Sequence, residues 1–127
     1  MSTTANYAAT PRAAVAQVST ANTNRDGTGT IATVLTAGSN GSRVDDITVI
    51  ATGTTTAGMV RLFVNDGTNT RLWQEIPVTA ATPSGTVQAF ASTLLNQALL
   101  LPNGYSLRAA TNNAETFNVV VTRAGDF

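Results

Sequence analysis

The sequence predicts an all-β chain: an antiparallel β-sandwich preceded by a flexible N-terminal arm. Three observations carry this. Short runs rich in Val, Ile, Thr and Phe recur along the chain. Clusters of Gly, Asn, Asp and Pro separate them at a spacing of roughly 8–12 residues, the rhythm of a sandwich or barrel. The chain has 127 residues and 43% hydrophobic content, enough for one domain with one core.

Residues 1–11 are small and polar and contain Pro11, which reads as an arm; residues 12–127 form the domain. Strands are expected at 13–20, 28–36, 43–51, 58–65, 71–78, 86–92, 99–101, 105–111 and 116–123. The breaks between them include AGSNG, TGTTTAG, NDGTNT, AATPSG, PNG and NNAE. In PNG, the proline pre-sets its own φ and Asn-Gly tolerates positive φ, so a turn follows. The segment ASTLLNQALL, 91–100, is ambiguous. Its Ser92 or Thr93 could cap a helical turn, or the segment could be a strand; one helical turn or loop leading into a strand is the expectation.

Charge narrows the function. Seven arginines balance seven acidic residues, there is no Lys, and charged content is only 11%. A neutral chain with scattered arginines lacks the electrostatic footprint for nucleic acid or an anionic membrane. Missing Lys fits either codon bias or a surface meant to be covered, since interfaces are depleted in Lys and enriched in Arg. No apolar run is long enough for a transmembrane helix, and the first residues lack the basic start and apolar block of a Sec-type signal.

Chemistry is poorly supplied. The chain has no Cys and no His, so thiolate metal sites and the commonest general base are missing. Ser and Thr are abundant, but their usual activating bases are not. Asp26-Gly27-Thr28-Gly29 and Asp66-Gly67-Thr68-Asn69 resemble pieces of calcium loops, yet lack the spaced acidic ligands and closing Glu. They read as turns. Asp45 and Asp46 are adjacent and point to opposite faces of a strand, which suits salt bridges at a strand edge or between subunits. Glu75 and Glu115 are the only glutamates, and nothing supports a carboxylate pair. No catalytic residue, cofactor or metal site is expected, and the chain is not expected to be an enzyme.

The stretch RLFVNDGTNTRLWQEI, 61–76, reads as a hairpin. Side chains alternate between faces along a strand. A five-residue loop at 66–70 would pair Val64 with Leu72, Phe63 with Trp73, Arg61 with Glu75 and Val60 with Ile76. Val60, Leu62, Val64, Leu72, Ile76 and Val78 then face the core. Met59, Arg61, Phe63, Arg71, Trp73 and Glu75 face outward with the composition of an interface core. Three explanations fit such a patch: contact with another subunit, cover by the arm or a loop of the same chain, or a ligand platform. Subunit contact is the expectation.

The segments RLFVNDGTNTRLWQEIPVTAATPSGTVQAF and LLLPNGYSLRAATNNAETFNVVVTRAGDF, roughly 57–127, resemble small virion proteins of tailed bacteriophages. The matching traits are the RLF…RLWQEIPV hairpin, the LPNGYSLRAAT turn and the F-N-V strand closing on Gly125-Asp126-Phe127. The resemblance implies a capsid decoration (cement) protein: a β-rich sandwich, with the jelly roll as one form of it. It also implies a homo-oligomer, a trimer above all, bound to the major capsid protein of a virion assembled in the host cytoplasm. A tail or baseplate component is the nearest rival. A receptor- or carbohydrate-binding module is another, for which Tyr7, Phe63, Trp73 and Tyr105 would be the aromatics.

Overall fold

A computed structural model describes residues 9–127. Nine strands follow one another: β1 (Thr10–Val18), β2 (Ala32–Thr36), β3 (Ser42–Ala51), β4 (Gly58–Asn65), β5 (Thr70–Val78), β6 (Ala91–Leu94), β7 (Leu99–Leu101), β8 (Ser106–Thr111) and β9 (Phe117–Asp126). There is no helix among the described residues. Thr10 and Pro11, expected in the arm, already belong to β1 and pair with Asp126 and Gly125; residues 1–8 of the expected arm lie outside the described residues.

Two antiparallel sheets face each other. The first has the order β1-β9-β3-β6, with β7 also on β3; the second has the order β2-β8-β4-β5. β6 and β7 are one edge strand in two pieces. β7 pairs with Ser42–Val44 and β6 with Ile47–Ile50 of β3. Counted that way, the pairings nest: β4 with β5, then β3 with β6 and β7, then β2 with β8, then β1 with β9. The chain is a long hairpin folded over on itself.

The core lies between the sheets. Val44, Ile47, Val49, Val119 and Val121 of the first sheet meet Val60, Leu62, Leu107 and Ala109 of the second. Phe90, on the crossing from β5 to β6, stands edge-on to Phe117 with ring centres 6.3 Å apart. Alternation explains most of these positions.

The ambiguous segment 91–100 has no helical turn. β6 ends at Leu94, and residues 95–98 bulge out before β7 begins, with Asn96 and Ala98 at φ of 55° and 50°. The two aspartates of β3 hold this bulge. The Gln97 N–H donates to the Asp45 carbonyl, the Ala98 N–H to the Asp45 carboxylate and the Asn96 N–H to the Asp46 carboxylate. A helix there would forfeit these bonds and the pairing of β3's edge. Asp45 is buried against Arg43, and Asp46 pairs with Arg123. Both aspartates therefore bridge within the chain.

The expected strand at 86–92 is also displaced. Residues 86–90 lie outside any strand, because β6 begins only at Ala91 where β3 offers a partner.

Candidate functional site

The β4–β5 hairpin departs from its expected register in one respect, and much follows from it. Arg61 faces Glu75 and Val60 faces Ile76, as alternation requires. Beyond Leu62, which faces Gln74, the register slips: Phe63 faces Leu72, Val64 faces Arg71 and Asn65 faces Thr70. Trp73 is the extra residue of a β-bulge, and the loop is four residues, 66–69, rather than five. A bulge reverses the side-chain parity beyond it. Leu72 therefore joins the Phe63 side instead of the core, and Trp73 packs half-buried against the core instead of facing out beside Phe63.

The turn itself is locally satisfied. The Asp66 carboxylate accepts the N–H groups of Thr68 and Asn69, and the Asn65 side chain accepts that of Gly67. These bonds hold the Asp66 carboxyl below its usual pKa, with the Asn69 N–H the largest cause. Nothing else is needed to explain this acidic turn. The Asp26 carboxylate likewise accepts the Thr28 hydroxyl and N–H.

The second departure concerns what lies over the hairpin. Phe63 is fully buried and Arg61 is 3% exposed, yet neither belongs to the core between the sheets. They sit on the outer face of the second sheet, beneath residues 19–31, the connection from β1 to β2. Ala21 bridges to Thr111 at one end of that face. The Asn22 carbonyl accepts the Arg61 guanidinium at 3.2 Å. Arg25 reaches Glu75 on β5 at 2.7 Å. At the far end Gly27 comes so close to Thr70 that a Cβ there would run into the Thr70 carbonyl oxygen. The connection thus spans the face from the Val60 end to the Asn65 end, with Phe63 between its anchor points.

Asn22 shapes this cover from within. Its side-chain amide donates to the carbonyls of Thr28 at 2.9 Å and Thr30 at 3.1 Å, and its oxygen accepts the Asn24 N–H. Glu75 binds the cover to the sheet: one carboxylate oxygen accepts both the Arg25 and the Arg61 Nε–H. The two guanidinium groups, Arg25 first, hold the Glu75 carboxyl below its ordinary pKa.

The six hairpin residues expected on one outward face are therefore distributed differently. Arg71 is exposed, Met59, Trp73 and Glu75 are half-buried, and Arg61 and Phe63 are interior. Arg61 and Phe63 keep the side of the sheet turned away from the core, but their expected exposure is corrected, because this chain's own loop covers them. Composition alone hid this. A strand with apolar bulk on both faces needs a second cover, and the Asn- and Thr-rich stretch STANTNRDGTGTI was long enough to provide it.

Arginines are spent mostly inside the chain. Arg12 pairs with Asp126, Arg25 and Arg61 with Glu75, Arg43 with Asp45 and Arg123 with Asp46. What is left outside is nearly uncharged. On the outer face of the first sheet, Val15, Val120, Thr48 and Thr93 form one cross-strand row, and Gln17, Asn118, Ile50 and Ala91 form the next. Val15 is 68% exposed and Ile50 39%. Elsewhere, Leu100, Leu101, Pro102 and Phe127 line a shallow apolar groove. No group of three or more His, Cys, Asp or Glu side chains is gathered for a metal ion among the described residues. Glu115 has different partners from Glu75, accepting the Thr56 N–H and hydroxyl.

No protein-family model matches the chain, and no curated protein is similar to it in sequence. Among solved structures, a chain of the cyanophage Pam1 capsid asymmetric unit is similar in fold, with a TM-score of 0.46 and 17% identity, over 98% of this chain and 91% of that one. A likeness that faint carries no weight for function.

Proposed function

We propose that this chain is a non-enzymatic structural protein of a tailed-phage virion, a capsid decoration (cement) protein. It works as a homo-oligomer, in our reading a trimer, seated on the major capsid protein after assembly in the host cytoplasm. The observation that carries this is the nested strand pairing, β4 with β5 outward to β1 with β9. That order is the jelly roll's, an architecture of viral capsid and lectin domains and of cupins. A cupin's metal chemistry has no His to rest on here. Of the aromatics expected for a sugar platform, Phe63 is buried, Trp73 and Tyr105 are half-buried, and Tyr7 lies outside the described residues. The capsid class fits this chain best in our reading, and the resemblance of residues 57–127 to small virion proteins points the same way.

We assign copy-to-copy contact to the outer face of the first sheet, centred on Val15, Val120 and Ile50. These rows carry no charge, so a second copy packs there without like-charge repulsion; in a trimer the contact is heterologous, this face meeting a different part of the next copy around the axis. Arg71, Trp73, Met59 and Glu75 remain reachable at the hairpin for a neighbouring copy or the capsid. Arg61 and Phe63 act from beneath, by supporting the cover. Weak contacts of this kind gain avidity when many copies share a lattice.

Mass spectrometry and cryo-electron microscopy of purified particles test the reading: the chain should travel with intact heads. Recovery with isolated tails would replace it by the tail or baseplate alternative. Light scattering should find an oligomer for the wild type and a folded monomer for Val15→Asp/Ile50→Asp. A wild type that stays monomeric at high concentration would remove the self-contact.

A further inference from the structure

The sequence contains Asn-Gly twice, at Asn40-Gly41 and Asn103-Gly104. This dipeptide can cyclise without any catalyst. The backbone nitrogen of the glycine attacks the side-chain carbonyl carbon of the asparagine. A bond forms between that nitrogen and Cγ, the bond from Cγ to Nδ2 breaks, and ammonia leaves with the amide proton. Water then opens the five-membered imide at either carbonyl, giving isoaspartate or aspartate. Glycine favours the step because no side chain shields its nitrogen and its backbone moves freely. The nitrogen must also be unengaged, since its lone pair attacks only after its proton is released.

The two copies of the dipeptide sit at different phases of their turns. Asn40-Gly41 lies in a turn that starts at Gly38, so Gly41 is its fourth residue. The Gly41 N–H donates to the Gly38 carbonyl at 2.9 Å, and the Gly41 carbonyl accepts the Phe127 N–H at 3.0 Å. A Cβ on Gly41 would lie 3.2 Å from the Leu101 carbonyl oxygen, so this backbone is walled in. Asn103-Gly104 lies in a turn that starts at Pro102 and closes from the Tyr105 N–H to the Pro102 carbonyl at 3.0 Å. Here Gly104 is the third residue. Its N–H has no partner among the described residues, both residues are exposed, and the space at its Cα is open. The two Asp-Gly pairs differ in kind: Asp26 and Asp66 are held ionised by their own turns, and an ionised carboxylate is a poor electrophile.

We infer that Asn103 is a site of spontaneous deamidation in the folded protein, and that the fold protects Asn40. The one-residue difference in turn phase decides this, since the sequences are the same at the reacting atoms. Conversion adds one negative charge to a chain of zero net charge. The new charge would sit beside the hairpin turn that carries Asp66, because Gly67 approaches the Gly104 carbonyl. Ageing protein would therefore split into a neutral and an acidic form that differ at one surface tip.

Incubating the purified full chain in mildly alkaline buffer, followed by peptide mapping with isoaspartate detection, tests this. In folded protein, Asn103 should convert about tenfold faster than Asn40, the factor expected when one amide must first give up a hydrogen bond. In denaturant the two rates should converge, because turn phase no longer exists. The Asn103→Ser variant should fold and lack the acidic form on isoelectric focusing. Equal rates in the folded chain, faster conversion at Asn40, or a rate ratio unchanged by denaturant would each overturn the inference.

Discussion

Arg61 Nε lies 2.9 Å from a carboxylate oxygen of Glu75, and the guanidinium is buried while the carboxylate keeps water on one side. The same oxygen holds Arg25 of the covering loop. The cation inside the molecule thus relies on a carboxylate at its surface, and that carboxylate also ties down the segment that buries the cation. Arg61 Nη1 donates to the Asn22 carbonyl and to the Asn112 side-chain oxygen, each at 3.2 Å.

Glu75→Gln should therefore be worse than Arg25→Ala. Removing Arg25 leaves Arg61 paired. Removing the charge of Glu75 leaves a buried guanidinium without a counter-charge, the costly case for an ion pair. Thermal unfolding followed by Trp73 fluorescence should give the order wild type, Arg25→Ala, Glu75→Gln in decreasing Tm. If Glu75→Gln matches the wild type, neutral acceptors suffice for Arg61 and the Glu75 charge is not what holds the covering loop.

Stability should be flat near neutrality and fall in acid. The carboxyls of Asp126, Asp46, Asp26, Asp66 and Glu75 all lie below their ordinary values of 3.8 for Asp and 4.5 for Glu. For Asp126 the Ser42 hydroxyl is the largest cause and Arg12 adds to it; for Asp46 the Asn96 N–H leads and Arg123 follows. A carboxyl with a depressed folded pKa is more often charged in the folded than in the unfolded state. Its contribution is complete above the unfolded value and disappears as pH falls through the folded one. With no His in the chain, no side chain of ordinary pKa titrates between about pH 5 and 8. A Tm series should show a plateau there and a decline beginning near pH 4.5 and steepening below 3.8. A loss of stability between pH 7 and 6 would contradict this assignment.

Phe63→Ala should cost about 3–5 kcal/mol, the usual range for emptying the space of a buried phenylalanine. Phe63 is fully buried, although it lies outside the core between the sheets. An exposed contact residue would give the opposite result, with Tm unchanged and only association lost. Urea denaturation separates the two: a lower midpoint in a monomeric sample supports interior packing, and an unchanged midpoint puts Phe63 at the surface.

How much of this could be read from the residues differs by element. β4 and β7 coincide with the expected 58–65 and 99–101, because short apolar runs between strong turn signals set those bounds. The Arg61–Glu75 pair was legible from face parity. The bulge at Trp73 was not. Face parity assumes an unbroken ladder, and one inserted residue exchanged the roles of Leu72 and Trp73. A cover from the same chain was one of the readings open in the sequence, but the segment that supplies it was not legible: residues 19–31 carry little apolar patterning, and their place is set by Asn22, Arg25 and Gly27 meeting partners distant in sequence. Segment 95–98 misled for a related reason, since Asp45 and Asp46 on another strand dictate its shape.

Asn22 gives the most local test of the cover. It is buried, and its side chain satisfies two carbonyls and one N–H inside residues 24–30. Asn22→Ala removes those three bonds, each worth about 0.5–1.5 kcal/mol, while water can reach the freed groups of the exposed Asn24, Thr28 and Thr30. The loss should be confined, because Asn22's side chain makes no bond to the first sheet. Hydrogen exchange should accelerate through residues 22–30 and at Arg61 and Phe63, while β3 and β9 keep their protection. Asn22→Asp should be worse still at neutral pH. Aspartate can accept from Asn24, but it turns a negative charge toward the Thr28 and Thr30 carbonyl oxygens where an amide had donated. If exchange rises equally across both sheets, residues 19–31 are part of the cooperative core and not a separately anchored cover.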